Sequence, residues 1–177
     1  MRIAGRPDSR HLILCIMLLM MMTTAVSGDV SKSADNGFIV QHSVTVSHDK
    51  ATVFKTMTSE VGKWWNSEHS FSADANNMHI DENCFCERWA DNLVSHLDTV
   101  MWLENSKVIM EGGLGPLKEL GLNGTMVWSL ASSDSVTTHI NWKYHVYGFS
   151  DTSLTELAVA VDGVLKEQID RLVNYLD

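Results

Sequence analysis

The chain ends in a long alternating segment followed by a long amphipathic one, and this pair limits the possible folds more than any other feature. Apolar and polar residues alternate over residues 136 to 147, which is typical of a β-strand with one buried face. Ser153 and Glu156 then form a capping box, and apolar residues recur at helical spacing over Leu154–Leu176. The strand face and the helix stripe both need cover, so we expect the helix to pack on a sheet.

The preceding residues predict further strands and one earlier helix. Alternation at residues 40 to 46 predicts a strand with His42 on its apolar face. Ser47 or Asp49 is expected to cap a helix that ends near Gly62. Further strands are predicted at residues 78 to 80, 84 to 89, 94 to 103, 108 to 110 and 123 to 130, with a bend at residues 112 to 117. The predicted fold class is therefore α+β: a curved antiparallel β-sheet wrapped around a long C-terminal α-helix, with an internal cavity.

The charged residues and the one glycine of the C-terminal helix carry two further expectations. Asp162 with Lys166, and Glu167 with Arg171, are four residues apart and are expected to form pairs on the solvent face. Gly163 costs about 1 kcal/mol of helix propensity relative to alanine. We therefore expect close packing or the approach of a ligand at Gly163.

Residues 1 to 27 have the order of residues found in a secretory signal peptide. Arg2, Arg6 and Arg10 precede an apolar run at residues 12 to 22, and small or short residues follow. The run is shorter than the roughly 20 residues that cross a bilayer as a helix. We expect cleavage after Ser27, a flexible lead-in at residues 28 to 37, a domain at residues 38 to 177, and a periplasmic or secreted protein without a membrane span. An uncleaved N-terminal anchor is the alternative.

The charge balance argues against nucleic acid as a partner. The chain has 13 lysines and arginines against 22 acidic residues, which gives a formal charge of −9. Such a chain repels phosphate backbones. The sequence also lacks the motifs of a phosphate-binding loop and of a serine-hydrolase elbow. We expect neither nucleotide nor other cofactor.

The chain resembles a bacterial branch of the START-like (SRPBCC) superfamily. The resemblance is carried by the order of elements over residues 38 to 177 and by short motifs: Trp64-Trp65, Cys84-Phe85-Cys86-Glu87, residues 113 to 117, residues 161 to 165 and Arg171-Leu172. This helix-grip group includes polyketide cyclases, lipid-transfer domains, pollen-allergen proteins and co-chaperones. The resemblance implies a deep apolar cavity between sheet and helix that binds hydrophobic molecules or, in some members, supports cyclisation, dehydration or hydrolysis. It carries no catalytic residue over to this chain. Asn83 departs from the pattern, since relatives tend to have glycine there.

Four polar residues are candidates for chemistry in such a cavity: His42, Glu87, His96 and Tyr144. His42 and Tyr144 share the apolar face of their strands, where each could bond a ligand or be a satisfied core residue. Glu87 would have a raised pKa and could act as a general acid or base if its face is internal. If that face is external, Glu87 is a solvated charge.

Cys84 and Cys86 lie two apart on a predicted strand and therefore face the same side. They could bind a soft metal, form a disulfide or supply a nucleophile. Two observations argue against a metal site. The cysteines lack the usual Cys-x-x-Cys spacing, and His96 is the one histidine considered as a further ligand. We expect two small apolar side chains packed against the cavity wall.

These patterns favour a non-enzymatic protein that binds a small hydrophobic or amphipathic molecule, without metal. The predicted ligand contacts are His42, Trp65, Cys84, Cys86, Leu117, Trp128, Trp142 and Tyr144. One alternative is a cavity enzyme of the polyketide cyclase, dehydratase or hydrolase type that uses one of the four polar candidates. The other is a co-chaperone-like module that binds protein.

Overall fold

The computed structural model describes residues 27–132 and 134–177, which form one antiparallel sheet and three α-helices. Residues 1 to 26 of the predicted signal peptide lie outside the described residues. The strands are β1 (Ser27–Ala34), β2 (Gly37–Val46), β3 (Met78–Ile80), β4 (Cys84–Trp89), β5 (Asn92–Leu103), β6 (Lys107–Glu111), β7 (Asn123–Ser132) and β8 (Thr138–Tyr147). The helices are α1 (Lys50–Ser59), α2 (Val61–Trp64) and α3 (Leu154–Leu176). The strand order is β1-β2-β8-β7-β6-β5-β4-β3.

The strand and helix at the C-terminus confirm the predicted fold class. β8 pairs antiparallel with both β2 and β7, and α3 has the predicted bounds. The Ser153 side chain accepts a hydrogen bond from the amide of Glu156, as the capping box predicts. The apolar stripe of α3 buries Leu165, Ile169 and Leu172. The structure is therefore an α+β helix-grip fold. Among the described residues, no helix combines the length and apolarity needed to cross a membrane.

The core is built on stacked tryptophans. Trp128 of β7 and Trp142 of β8 are cross-strand partners, and their ring centroids lie 4.5 Å apart. Trp64 at the end of α2 places its ring 5.8 Å from that of Trp142. Its indole nitrogen donates to the backbone carbonyl of Thr56, which satisfies the polar atom of a fully buried ring. These rings fix α1 and α2 against the sheet.

Two local predictions differ from the structure. The lead-in expected to be flexible contains β1, which pairs with β2 and packs the half-buried Val30 against the core. Its polar sequence has no apolar period, so only the pairing of its backbone with β2 makes it a strand. The helix expected to reach Gly62 ends at Ser59, and α2 begins separately at Val61. Asp49, and not Ser47, caps α1, because its carboxylate accepts from the amides at positions 51 and 52.

The pairing expected between Asp162 and Lys166 is wrong. Asp162 lies 3.0 Å from the buried His42 of β2, and Lys166 pairs with Asp170 at 2.6 Å. The reason is that β1 and β2 pack against this side of α3. Asp162 is therefore half-buried and faces the sheet.

The pairing expected between Glu167 and Arg171 is also wrong. Glu167 accepts from the side chain of Asn66 at 2.6 Å and lies 3.2 Å from the His69 ring. The Nε of Arg171 donates to the backbone carbonyl of Trp64 at 2.7 Å. The segment after α2 thus covers this face of the helix, and both side chains hold that segment in place.

Gly163 lies in a position that does not need glycine, contrary to the expectation. It is exposed, has an ordinary helical φ, and a Cβ added there would have no neighbour within 4 Å. Gly163→Ala should therefore raise the free energy of unfolding by about 0.5 to 1 kcal/mol through helix propensity and a restricted unfolded chain. Urea denaturation measures the difference.

Gly121→Ala is the matched control. Its Cβ would also meet open space, but its φ is +71°. That backbone conformation disfavours any residue with a Cβ, so the control should be destabilised by about 1 kcal/mol. Equal effects of the two substitutions would contradict the assignment to helix propensity.

Candidate functional site

A cavity of about 370 Å³ lies between α3 and two loops, one after α2 and one after β6. Ligand sites commonly have volumes of about 300 to 1,000 Å³ and mostly apolar walls. Here the walls come from the loop residues 65 and 68 to 71, from residues 114 to 117 and 120, from α3 between Leu157 and Leu165, and from His96 of β5. Most of these side chains are apolar, so the cavity suits an apolar or amphipathic molecule.

The loop after α2 is held by Trp65, which lines the cavity as predicted. The Trp65 ring packs edge-on against Phe85 of β4, with centroids 5.0 Å apart. Its indole nitrogen donates to the carbonyl of His69 at 3.0 Å, and the amide of Asn66 donates to the side chain of Gln168 at 2.8 Å. The loop is therefore tied both to the sheet and to α3. Its role as a ligand contact stays a prediction.

The loop after β6 is held by Tyr144, which does not line the cavity. The buried Tyr144 hydroxyl accepts from the amide of Leu114 at 2.9 Å and donates to the carbonyl of Gly112 at 2.8 Å. Burial raises the pKa of Tyr144, which keeps this hydroxyl protonated. With both hydrogen-bonding roles taken by backbone, Tyr144 positions the loop instead of meeting a ligand. Leu117 of the same loop does line the cavity.

Glu87 and His96, two of the four polar candidates, meet at the cavity wall, which His96 lines and Glu87 does not. Glu87 lies on β4 and His96 on the neighbouring β5, and both are buried. A β-bulge brings them together: Phe85 pairs with Leu97 but Cys86 pairs with Ser95, which leaves His96 as the extra residue. Because a bulge redirects side chains, the consecutive residues His96 and Leu97 both point inward.

The Glu87 carboxylate is fully buried and has three hydrogen-bond donors. Oε1 accepts from the His96 Nε2 at 2.8 Å and from the amide of Phe71 at 2.9 Å, and Oε2 accepts from the amide of Ser72 at 3.0 Å. Burial alone would raise the pKa of Glu87, but the two amides and the imidazole outweigh it and lower this pKa below its usual value. The raised pKa expected for an internal Glu87 is therefore wrong, and the carboxylate is charged.

His96 lines the cavity and carries an unprotonated ring nitrogen. Burial lowers the pKa of His96 more than the Glu87 carboxylate raises it, so the ring is neutral near pH 7. A carboxylate can only accept, so the proton is on Nε2 and Nδ1 is a free acceptor. Nδ1 is buried and has no hydrogen-bond partner among the described residues. The Phe71 ring stacks on His96 at 5.8 Å and fixes its plane.

His42 is buried away from the cavity, contrary to its predicted contact with a ligand. Its Nε2 lies 3.0 Å from the Asp162 carboxylate, and Gly28 of β1 covers the ring. A Cβ at Gly28 would lie 1.7 Å from Nδ1 of His42, so only glycine fits there. Burial lowers the pKa of His42 despite the nearby carboxylate. His42 thus belongs to the packing of β1 and α3 on β2.

Four more predicted contacts lie outside the cavity wall. Trp128 and Trp142 are in the core, where their rings stack on each other. Cys84 and Cys86 are joined by a disulfide, with Cα atoms 5.5 Å apart. They alternate along β4 with Phe85 and Glu87, so they face away from the cavity. The expected packing of two thiols on the cavity wall is corrected to a disulfide on the other face.

The turn before Cys84 accommodates Asn83 without strain. Asp81 accepts from the amides of Asn83 at 2.8 Å and of Cys84 at 3.0 Å. The φ angle of Asn83 is not positive, so this position does not require glycine. The departure from the START-like pattern at this position therefore leaves the turn intact.

Sequence reasoning missed the loop residues 68 to 71 and the two amides that bind Glu87. The segment has no apolar period, and its conformation depends on hydrogen bonds to the carboxylates of Glu87 and Glu167, which are far away in the chain. The one usable signal was the stretch of polar residues directly after the Trp64-Trp65 pair.

Several solved structures have the same fold. CalU16 from Micromonospora echinospora has a TM-score of 0.55 and 9% identity, with 87% of this chain and 83% of that chain covered. An uncharacterized protein from Rhizobium leguminosarum has a TM-score of 0.57 and 11% identity, with 88% and 98% covered. The Aha1 dimer from Colwellia psychrerythraea has a TM-score of 0.55 and 11% identity, with 77% and 93% covered. No family model and no curated protein matches the sequence. At these identities the likeness is one of fold.

Proposed function

Because the chain has the helix-grip fold of START-like proteins, we propose that it binds one small amphipathic molecule in the cavity beneath α3. The apolar body of the molecule lies against α3 and the two loops, and a hydroxyl or N–H group donates to Nδ1 of His96. The observation that carries this proposal is the buried, unpaired acceptor of His96, a residue that lines a cavity with otherwise mostly apolar walls.

The energetics favour a ligand with a donor. A buried polar atom without a partner costs roughly 1 to 3 kcal/mol, and a ligand donor removes that cost. Glu87 orients the ring so that Nδ1 is the unpaired atom. An entirely apolar ligand would leave Nδ1 unsatisfied, so the cavity should discriminate between molecules of equal size.

The proposal places the protein in the periplasm or outside the cell. This location is proposed because charged, apolar and small residues follow one another in positions 1 to 27 in the order of a signal peptide. A disulfide between Cys84 and Cys86 suits an oxidising compartment.

The experiment uses two test ligands of similar size, 2-naphthol and 2-methylnaphthalene. 2-Naphthol should bind about 5-fold more tightly, since a net hydrogen bond contributes about 1 kcal/mol and 1.4 kcal/mol is tenfold. His96→Phe keeps an aromatic ring against Phe71 but should abolish the preference. Native mass spectrometry of protein isolated from its own envelope should show one retained small molecule. Absence of both the retained molecule and naphthol binding would contradict the proposal.

The second candidate function is proton abstraction from a bound substrate. It is favoured by the Glu87–His96 pair, because a carboxylate that orients a neutral imidazole is a common arrangement of a general base. The retained molecule distinguishes the two. A carrier releases it unchanged, whereas an enzyme converts it, and alanine at His96 then lowers the rate by about 100-fold or more.

A further inference from the structure

His79, Cys84 and Cys86 form a cluster of metal-ligating groups on the sheet face opposite the cavity. One ligand atom from each residue lies within 4.8 Å of the other two. His79 is the cross-strand partner of Cys86 in the pairing of β3 with β4, which places its ring beside the two sulfurs. The cluster shares no residue with the cavity walls.

The backbone around the cluster is fixed independently of the sulfurs. The Asp81 carboxylate binds the amides of Asn83 and Cys84, and the amide of Asp81 donates to the Cys84 carbonyl. The amide of Thr99 donates to the Asn83 carbonyl at 2.9 Å, which ties the same turn to β5. The backbone of the turn that leads into Cys84 is therefore held by hydrogen bonds that do not involve the sulfurs.

We propose that reduction of the Cys84–Cys86 disulfide creates a binding site for a thiophilic cation of the Zn²⁺ or Cu⁺ type. A dithiol reductant gives two electrons and two protons to the sulfurs, and is itself oxidised to a cyclic disulfide. The cation then displaces the two thiol protons to solvent and is bound by two thiolates and the His79 imidazole. Two sulfurs and one nitrogen are ligands that suit such cations, and a fourth position is left for water.

The charge and burial of the surroundings support a cation at this position. Asp98 of β5 is the cross-strand partner of Cys84 and presents an exposed carboxylate on that side. Cys86 is buried, whereas Cys84 and His79 are half-buried, so a cation reaches the sulfurs from the side of Cys84 and His79. The same two sulfurs form either the disulfide or the metal site. Metal binding therefore depends on the redox state of this chain.

The test measures Zn²⁺ binding to the full chain in a Cys15→Ser background, so that the two sulfurs of β4 are the only cysteines. The protein is reduced with dithiothreitol, freed of reductant without oxygen, and titrated with Zn²⁺ against a chromophoric chelator. One Zn²⁺ per chain should bind at least about 100-fold more tightly than to the oxidised protein. Co²⁺ in place of Zn²⁺ should give a thiolate charge-transfer absorption.

The variants separate ligation from folding. Cys84→Ser with Cys86→Ser should abolish binding, and His79→Ala should weaken it at least about 10-fold, while naphthol binding in the cavity is retained. His145→Ala, an exposed histidine on β8, is the matched control and should bind Zn²⁺ as the parent does. Equal affinity of reduced and oxidised protein, or retained binding in the double serine variant, would overturn the proposal. Neither result bears on the function proposed for the cavity.

Discussion

Glu87→Ala should lower the free energy of unfolding by about 3 to 5 kcal/mol, because three hydrogen-bond donors lose a charged acceptor and each unmade bond costs roughly 1 to 3 kcal/mol. The carboxylate is the acceptor for the amides of Phe71 and Ser72 and for the His96 ring. All three donors would be left without this acceptor: the His96 ring is buried, and the two amides are partly buried. Urea denaturation followed by tryptophan fluorescence measures the loss.

The matched control is Glu82→Ala, which removes an exposed carboxylate from the turn that precedes the same strand. It should change the free energy of unfolding by less than about 0.5 kcal/mol.

The pH dependence of the stability gives a second check. Because the folded-state pKa of Glu87 is lowered, its stabilisation is present above the ordinary value of 4.5 and is lost as pH falls through the folded-state pKa. The difference between parent and Glu87→Ala should therefore narrow in acid. Equal losses for the two variants at neutral pH would refute the network.

Long periodic segments made most of the fold predictable. β8 and α3 each repeat one signal over many residues, so an error at one position does not change the assignment. The same alternation correctly placed the side chains of His42, Trp142 and Tyr144 inside. It could not say which part of the interior is a cavity, because a filled core and a ligand site use the same residue types. Thus Tyr144 was correctly predicted as buried but holds a loop.

The parts that failed depend on contacts without a local signal. The bulge at His96 reverses which alternate side chains of β5 face the core, and no residue type in that strand predicts a bulge. The helical spacing predicts a solvent-facing Asp162, but β1 and β2 cover that side of α3. His79 lies beside the two cysteines through strand pairing, whereas the sequence alone suggested His96 as the nearby histidine. Each of these contacts is created by packing between distant segments.

Val164→Trp should reduce the affinity for 2-naphthol by about 100-fold or more, which corresponds to about 2.7 kcal/mol. Val164 is a half-buried residue of α3 that lines the cavity of about 370 Å³. An indole there would occupy the space that the apolar body of the ligand needs, with little disturbance of the core face of the helix. Val159→Trp is the matched control, because Val159 is 67% exposed and does not line the cavity. Fluorescence titration of folded variants measures the affinities.

The pattern across variants and ligands tests the cavity more strictly than one affinity does. Loss of volume should weaken 2-naphthol and 2-methylnaphthalene equally in Val164→Trp, since both have the same fused rings. Loss of the acceptor in His96→Phe should weaken 2-naphthol alone. If Val164→Trp folds with parental stability and still binds 2-naphthol as the parent does, the ligand lies elsewhere and the cavity beneath α3 is not the site. A second outcome would also refute the proposed division of roles. If both substitutions remove the preference for the hydroxyl but leave the affinity unchanged, Nδ1 selects the ligand but the apolar walls do not bind it.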